Sequence, residues 1–206
     1  MIGRPVEEAL RLAKADNHGY ASFWELLHAG VRLPEGSRWD RARGLADTEL
    51  FGAFRDHIRF AALSLDGTCL SHYGAVSLEL KEDMIAHRST VFEENSAVFF
   101  EHRRQRGEEP PKIAGHRAHW NDRGKLALAK HGHELTPTTT GKDFASMLLR
   151  SGPTSAEDVF IEVHIYGSLT RRSLARVTVD SAQTSPSIIA DLRDRLTEIN
   201  IPVEER

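Results

Sequence analysis

The chain has 206 residues, of which 40% are hydrophobic and 28% charged, and its formal net charge is −3. This length allows one domain with a sizeable core, and the balance is typical of a globular protein. The slight negative charge excludes a global attraction to nucleic acid, so such binding would need a local basic patch. The single cysteine, Cys69, excludes an intrachain disulfide. No apolar run reaches the length of a membrane span, and no signal peptide is expected.

Helical patterns dominate the first 57 residues. Residues 5–15 carry apolar side chains at helical spacing and predict a first helix. Ser22 and Glu25 have the spacing of a capping box, which predicts a short helix that Gly30 closes. Residues 31–45 are rich in Gly, Pro and charge and predict a loop. A further helix is expected over residues 47–57.

Strand patterns begin after residue 57. Alternating or β-branched sequences predict strands over residues 58–64, 73–80, 87–92, 159–167 and 175–179. Capping signals and helical spacing predict helices over residues 97–102 after Asn95 and Ser96, from Asn121 to residue 130, from Thr140 to residue 152, and over 187–200. Residues 103–111 predict a surface loop. Helices first and then mostly strands indicate an α+β fold.

The segment from residue 159 to 167 has the most informative pattern. In a strand, Val159, Ile161, Val163 and Ile165 would share one face, which suits a core. The opposite face would then carry Phe160, Glu162, His164 and Tyr166. A carboxylate and an imidazole between aromatic rings are suited to line a cleft. The alternative is an edge strand with a half-exposed polar face.

Three segments together carry a family resemblance. They are Ile58-Arg-Phe-Ala-Ala-Leu, then Tyr73-Gly-Ala-Val-Ser-Leu-Glu-Leu with His87-Arg-Ser-Thr-Val-Phe, and finally Phe160-Ile-Glu-Val-His-Ile-Tyr-Gly. An Arg on a first strand, a Ser-Thr strand start and a late Glu strand resemble the ADP-ribosyltransferase-like superfamily of bacterial toxins and related bacterial domains. Two positions depart from the family pattern: Val91 follows Ser89 and Thr90, and His164 stands where the Glu-x-Glu enzymes have a second carboxylate.

The resemblance implies a split β-sheet core over residues 58–206, preceded by an N-terminal helical region over residues 1–57 that packs on it. It also implies an NAD-dependent mono-ADP-ribosyltransferase, or an NAD glycohydrolase, that cleaves the nicotinamide–ribose bond. NAD would be the substrate, and no metal is expected. The partner would be a macromolecular acceptor, protein or nucleic acid, and an antitoxin or immunity protein is a further expectation. Such a protein would act in the cytoplasm or in the cytosol of a target cell, without membrane contact.

The resemblance also assigns roles to individual residues. Glu162 and His164 are the expected catalytic residues, with the Glu162 carboxylate stabilising the ribosyl cation and His164 beside the acceptor. Arg59 is expected to pair with the NAD pyrophosphate, while Ser89 and Thr90 hold the ribose or the carboxylate. Tyr73, Phe92 or Tyr166 would stack on the nicotinamide ring. Because these residues lie far apart in the chain, we expect their side chains to converge on one cleft.

Three other interpretations compete with this one. The histidine pairs His116 with His119 and His131 with His133 suggest zinc, but the chain has no His-Glu-x-x-His sequence. Residues 112–133 are locally basic and include Trp120, which suggests contact with an acidic partner or with nucleic acid. The simpler alternative is a solvated helix with Trp120 packed beneath it. Finally, the same fold could serve as a non-catalytic module that binds protein or nucleic acid.

Overall fold

The structure is a computed structural model that describes residues 1–30, 38–108 and 112–206. Eight α-helices occur in these ranges: Val6–Lys14 (α1), Phe23–His28 (α2), Arg38–Phe51 (α3), Glu82–Ile85 (α4), Ser96–Gln105 (α5), Arg123–His131 (α6), Gly141–Leu148 (α7) and Pro186–Thr197 (α8). None of these helices has the length and hydropathy needed to span a bilayer. Short 3-10 turns lie between them, at Gly52–His57, Ser71–Tyr73, Ala86–Arg88, Trp120–Asp122, Gly132–Glu134 and Arg171–Ser173.

The described ranges also contain eight strands in two small sheets. They are Ile2–Arg4 (β1), Ile58–Ala62 (β2), Val76–Leu80 (β3), Ser89–Phe92 (β4), Arg117–His119 (β5), Glu162–Tyr166 (β6), Leu174–Val179 (β7) and Val203–Glu205 (β8). The first sheet has the order β1-β3-β7-β8, and the second has the order β2-β6-β4-β5. Every pairing is antiparallel except that of β7 with β8. The fold is therefore mixed α+β, as the order of patterns predicts.

The hydrophobic core joins the two sheets. Its largest cluster combines Val76, Leu78, Val177 and Val179 of the first sheet with Val91, Val163 and Ile165 of the second, and adds the buried faces of α1 and α8. The opposite face of the second sheet carries a separate cluster in which Phe92 packs against α3 and α5. Each face of the second sheet thus has its own buried layer, and this arrangement determines where its polar side chains lie.

Most of the predicted helices are confirmed. The helix predicted over residues 5–15 is α1, and both capping boxes form, from Ser22 with Glu25 and from Thr140 with Asp143. Asn95 caps α5 through its side-chain oxygen, as predicted, although the helix runs on to Gln105. Asn121 does not cap α6, because a 3-10 turn over Trp120–Asp122 precedes that helix.

The loop predicted over residues 31–45 is wrong in its described part. Residues 31–37 lie outside the described residues, but α3 already begins at Arg38 and continues through Gly44. Glycine and charge indicated a loop, whereas burial of Ala42 and Ala46 stabilises the helix against the rest of the protein. The expected helix over residues 47–57 is accordingly the end of α3 followed by a 3-10 turn. Similarly, residues 103–105 of the expected loop belong to α5, and residues 109–111 lie outside the described residues.

The predicted strands all form, and three further strands appear. Four of the predicted strands are shorter than expected, whereas β7 begins one residue earlier, at Leu174. β1, β5 and β8 have only three residues each, too few for a visible alternation. β1 also shows that residues 1–57 are not purely helical, since this strand pairs with β3 in the first sheet. The N-terminal region therefore contributes to the same core as the rest of the chain.

Candidate active site

Glu162 lies at the start of β6, in the interior of the second sheet. Strand register places it opposite Ala62 on one side and Phe92 on the other. Because side chains alternate along a strand, Glu162 and His164 share one face, while Val163 and Ile165 point to the opposite one. The predicted alternation is confirmed, and both polar residues are only 2% exposed. The alternative of a half-exposed polar face is wrong for these two residues, although Tyr166 is exposed.

Four hydrogen-bond donors surround the Glu162 carboxylate. Nη2 of Arg43 lies 3.0 Å from Oε1. Oε2 accepts from the backbone N–H of Ser96 at 3.0 Å, from the Ser96 hydroxyl, and from Nε2 of His164 at 2.9 Å. Ser96 is the first residue of α5, so the carboxylate also lies at the positive end of a helix dipole. A buried carboxylate is stable here because its charge is paired and hydrogen-bonded.

Arg43 connects α3 to this carboxylate. Its guanidinium also donates to the Ser96 hydroxyl at 2.9 Å and to Oδ1 of Asn95 at 3.2 Å, and it lies 3.4 Å from Oδ1 of Asp47. The guanidinium carbon is 4.2 Å from the centre of the Phe60 ring, a cation–π geometry. Arg43 therefore holds α3, β2, β6 and the start of α5 together.

The electrostatic balance keeps Glu162 ionised. Burial raises the pKa of this carboxyl, but the Arg43 guanidinium and the hydrogen bonds from His164 and Ser96 outweigh burial, so the pKa lies far below its ordinary value. For Arg43 each effect has the opposite sign. Burial lowers the pKa of the guanidinium, but the charges of Glu162 and Asp47 raise it by more, so the pKa lies above its ordinary value. The pair is consequently charged at physiological pH.

Burial raises the pKa values of Asp47 and Tyr73, which lie near this pair. Burial raises the pKa of Asp47, although Arg43 and the Nε1–H of Trp24, at 2.8 Å from Oδ2, oppose the effect. Burial and then the Glu162 charge raise the pKa of Tyr73 to about 12. Tyr73 is therefore a neutral phenol at physiological pH, suited to donate a hydrogen bond or to stack.

His164 lies within a cage of three aromatic rings. Ring centres of Phe51, Phe60 and Phe92 are 4.9, 5.5 and 6.0 Å from the imidazole centre. The Nε2 atom contacts Glu162, whereas Nδ1 has no hydrogen-bond partner among the described residues. An imidazole fixed in this way orients the carboxylate, which is the role of a positioning residue.

A pocket of about 270 Å³ opens beside the Glu162–Arg43 pair. Residues of both sheets line it, so we call it the inter-sheet pocket. The lining side chains that are charged or aromatic are Arg4 of β1, Phe23 of α2, Arg43 of α3, Phe60 of β2, Tyr73, Phe160 and Glu162. The pocket thus combines one ionised carboxylate, two guanidinium groups and four aromatic rings.

Three of the residues predicted to bind NAD lie on the same sheet face as Glu162 or beside it, but in different surroundings. Tyr73 lines the inter-sheet pocket together with Glu162. Thr90 lies opposite His164 in the sheet and accepts hydrogen bonds from Arg117, so it faces a different pocket. Phe92 is fully buried and packs on Phe99, which leaves no surface for stacking on a ligand.

The predicted convergence is wrong for Arg59 and Ser89. Both lie opposite Ile165 in the register, on the sheet face away from Glu162. Arg59 is buried and forms an ion pair with Glu25 at 2.6 Å, and it donates to the Tyr20 carbonyl. The Ser89 hydroxyl donates to the Ile85 carbonyl. Strand parity decides this outcome, because the Arg–Phe order of β2 places Phe60, and not Arg59, beside His164.

Sequence reasoning missed two of the three residues that donate hydrogen bonds to Glu162. Arg43 fell within the expected loop, and Ser96 was identified only as part of a helix start. The start of α5 carried a usable signal, since a helix N-terminus binds carboxylates and follows β4 after a short turn. For Arg43 no local signal exists, because its partner lies 119 positions away.

The structure also bears on the zinc hypothesis and on the hypothesis of a basic contact surface over residues 112–133. Among the described residues, no group of three or more His, Cys, Asp or Glu side chains is arranged to hold a metal ion. Trp120 is buried, with its Nε1–H donating to Glu82 at 2.9 Å, so its predicted packing beneath the basic segment is confirmed. Its ring is therefore not free to stack on a nucleobase.

Comparison with known proteins adds no family. A scan against models of protein families finds no match to this chain, and searches of curated proteins and of solved structures find none. A function can therefore be inferred only from the geometry of the inter-sheet pocket and from the motif resemblance.

Proposed function

We propose that the protein is an NAD-consuming enzyme with an ADP-ribosyltransferase-like split-sheet core, and that the inter-sheet pocket holds the nicotinamide–ribose end of NAD. The observation that carries this proposal is the ionised Glu162 carboxylate in the wall of a pocket lined by aromatic rings. Two four-stranded sheets with the Glu162 strand in the interior of the second also agree with the resemblance. The enzyme acts as a transferase or a glycohydrolase, depending on the acceptor.

Glu162 supplies the charge that this reaction needs. Cleavage breaks the bond between the nicotinamide nitrogen and ribose C1′, and the electron pair leaves with nicotinamide. A positive charge develops on the ribose, and a fixed carboxylate nearby stabilises that charge preferentially in the transition state. Oε2 of Glu162 is saturated by three donors, but Oε1 accepts from one donor among the described residues, Arg43, and retains capacity to accept from a ribose hydroxyl.

The other lining residues match the remaining parts of this substrate. Phe60, Tyr73 and Phe160 offer aromatic surface for the nicotinamide ring. Arg4 is partly exposed at the pocket and binds Glu8 only through an i,i+4 ion pair at 3.1 Å, so its guanidinium is suited to pair with the pyrophosphate. Arg4 thereby takes the role that the resemblance gave to Arg59. After cleavage, the oxygen of water or of an acceptor hydroxyl bonds to C1′ and releases its proton.

The direct experiment measures nicotinamide release. Purified protein is incubated with NAD, and nicotinamide and ADP-ribose are separated by chromatography, with and without a cell lysate as the acceptor pool. Equal amounts of the two products indicate hydrolysis, while ADP-ribose label on macromolecules indicates transfer. Absence of both, with protein that unfolds cooperatively, would overturn the proposal.

A non-catalytic binding module is the second candidate. The observation that favours it is the 2% exposure of Glu162, together with its four hydrogen bonds, since these features also fit a purely structural ion pair. In that case NAD or a partner would bind without being consumed. Binding of NAD by calorimetry, with no nicotinamide released over hours, would select this candidate over the enzyme.

A further inference from the structure

A second pocket lies on the same face of the second sheet, on the far side of His164 from Glu162. It encloses about 270 Å³, and we call it the basic aromatic pocket. Its lining includes Phe54, Arg88, Thr90, Arg117, His164 and Tyr166. The chemistry proposed for Glu162 does not use this pocket. Its charged and aromatic lining is nevertheless typical of a ligand-binding site.

Two guanidinium groups face this pocket without a counter-ion. Arg88 donates to the carbonyl oxygens of Met84, Tyr166 and Ser168. Arg117 donates to the Thr90 hydroxyl and to the Leu50 carbonyl. Neither forms an ion pair with a carboxylate of the described residues, and no Asp or Glu is among the pocket's lining residues.

The charge of these groups is therefore only partly compensated. Burial lowers the pKa of Arg88, with a further contribution from the nearby Arg59 charge, and burial also lowers the pKa of Arg117. The half-buried Arg88 guanidinium has thus lost water without gaining a carboxylate, and the exposed Arg117 has no carboxylate partner among the described residues. A bound anion would supply the missing partner, and guanidinium groups bind phosphate through paired hydrogen bonds.

Backbone geometry holds Arg88 in this position. Gly167 has φ +84°, and a Cβ atom at this residue would lie 3.0 Å from Nη1 of Arg88. Glycine thus permits both the turn after β6 and the close approach of the guanidinium. The hydrogen bond from Arg88 to the Tyr166 carbonyl, at 2.6 Å, fixes the same turn.

Two exposed aromatic rings complete the pocket. Phe54 is 61% exposed and Tyr166 is 45% exposed, and their ring centres are 6.0 Å apart at a steep interplanar angle. Large apolar side chains exposed together at a pocket favour a ligand that covers them. A planar ring can stack on either of them, and such stacking on an aromatic side chain tolerates any nucleobase.

We propose that the basic aromatic pocket binds a mononucleotide, with the phosphate between Arg88 and Arg117 and the base against Phe54 and Tyr166. The pocket volume, just below the usual range of about 300–1,000 Å³ for ligand sites, suits a ligand of this size. His164 connects the two pockets, because it lines this one and donates to Glu162 through Nε2. The site is distinct from the inter-sheet pocket and requires no turnover of NAD.

Calorimetric titration with AMP tests this proposal, with adenosine and inorganic phosphate as separate probes. AMP should bind more tightly than either fragment, because only AMP engages both the guanidinium groups and the rings. Arg117→Gln should raise the Kd for AMP about tenfold or more, since it removes a charged hydrogen-bond donor. Phe54→Ala should also raise it, and this exposed side chain can be removed without emptying the core. Gly167→Ala, which displaces Arg88, should act in the same direction.

Matched controls locate the site. Arg123→Gln neutralises another arginine of the same basic segment, which pairs with Glu82 outside this pocket, and it should leave the Kd unchanged. Tyr73→Ala changes the inter-sheet pocket and should also leave it unchanged. AMP binding that resists Arg117→Gln and Phe54→Ala, or that is lost in Tyr73→Ala, would overturn the proposal, as would no binding at all. These outcomes are independent of whether the protein cleaves NAD.

Discussion

Arg43 and Glu162 lie 119 positions apart in the chain, yet Nη2 of the arginine is 3.0 Å from Oε1 of the glutamate. The arginine side chain is 15% exposed and the carboxylate 3%, so water screens this pair only weakly. Removing one partner of a buried pair leaves an uncompensated charge, which costs far more than the pair itself contributes. The stability of the protein and the charge of its candidate catalytic residue thus depend on the same contact.

Arg43→Met should therefore destabilise the protein strongly. We expect the free energy of unfolding to fall by about 3–5 kcal/mol, because Glu162 keeps its burial but loses its counter-ion. Urea unfolding followed by circular dichroism measures this change. Arg193→Met is the control, since Arg193 pairs with Glu205 at the surface and should contribute less than about 1 kcal/mol. Equal losses in the two variants would show that the buried pair has no special energetic role.

Glu162 should make stability depend on acid pH. Its folded-state pKa lies below the ordinary value of 4.5, so the folded state binds this proton less readily than the unfolded state. Its contribution is complete above pH 4.5 and is lost as the pH falls below that value towards the folded-state pKa. The stability difference between wild type and Glu162→Gln should consequently shrink on acidification.

Wild type must be compared with Glu162→Gln because Asp47 changes the pH dependence of stability in the opposite direction. Its pKa is raised by burial, so its contribution grows as the pH falls. Urea unfolding of both proteins between about pH 7 and pH 3 gives the difference at each pH. A difference that stays constant across this range would contradict the depressed pKa of Glu162.

Ser96→Ala should weaken the carboxylate site while keeping α5. The variant loses the hydroxyl that donates to Glu162 but retains the backbone N–H donor. We expect a loss of about 1.5–3 kcal/mol in unfolding free energy, typical of a hydrogen bond to a charged group, and slower nicotinamide release. Ser146→Ala removes an exposed hydroxyl that donates to the Asp143 carbonyl, and it should change neither quantity. Identical behaviour of the two variants would contradict the role of Ser96.

Tyr73→Ala should raise the KM for NAD. Tyr73 is only partly buried and forms one wall of the inter-sheet pocket, so its removal takes away ring surface that the nicotinamide would contact. Steady-state kinetics of nicotinamide release measure the change. Tyr166→Ala, an exposed tyrosine outside this pocket, should leave the KM unaltered. A KM that rises in Tyr166→Ala and not in Tyr73→Ala would place the NAD site elsewhere.

The sequence predicts local features well because their causes are local. The capping boxes at Ser22 and Thr140 and the alternation around Glu162 depend on neighbouring residues, and all three are confirmed. α3 is missed because Gly, Pro and charge over residues 31–45 indicate a loop, although α3 contains good helix formers such as arginine, alanine and leucine. Packing against α5 stabilises the helix. Tertiary contacts of this kind leave no pattern in a single sequence.

The candidate site shows the same division between local and distant causes. Strand alternation correctly brings Glu162 and His164 to one face. Alternation within β2 and β4 places Arg59 on the opposite face from Phe60, and Ser89 on the opposite face from Thr90. Which of these faces also carries Glu162 depends on how β2 and β4 pair with β6. That register is fixed by pairing over about a hundred residues, so the motif resemblance placed the wrong arginine and the wrong serine beside the carboxylate.

The most direct test of the central claim compares nicotinamide release by Glu162→Gln and Glu101→Gln. Glu101 is a matched control: its carboxylate is also buried and paired with an arginine, Arg104, but it is not among the residues that line the inter-sheet pocket. With rates normalised to the folded fraction of each variant, Glu162→Gln should be slower than wild type by about 10²–10³-fold, and Glu101→Gln should match wild type. Equal rates in the two variants would contradict a catalytic Glu162 and leave the carboxylate with a structural role alone.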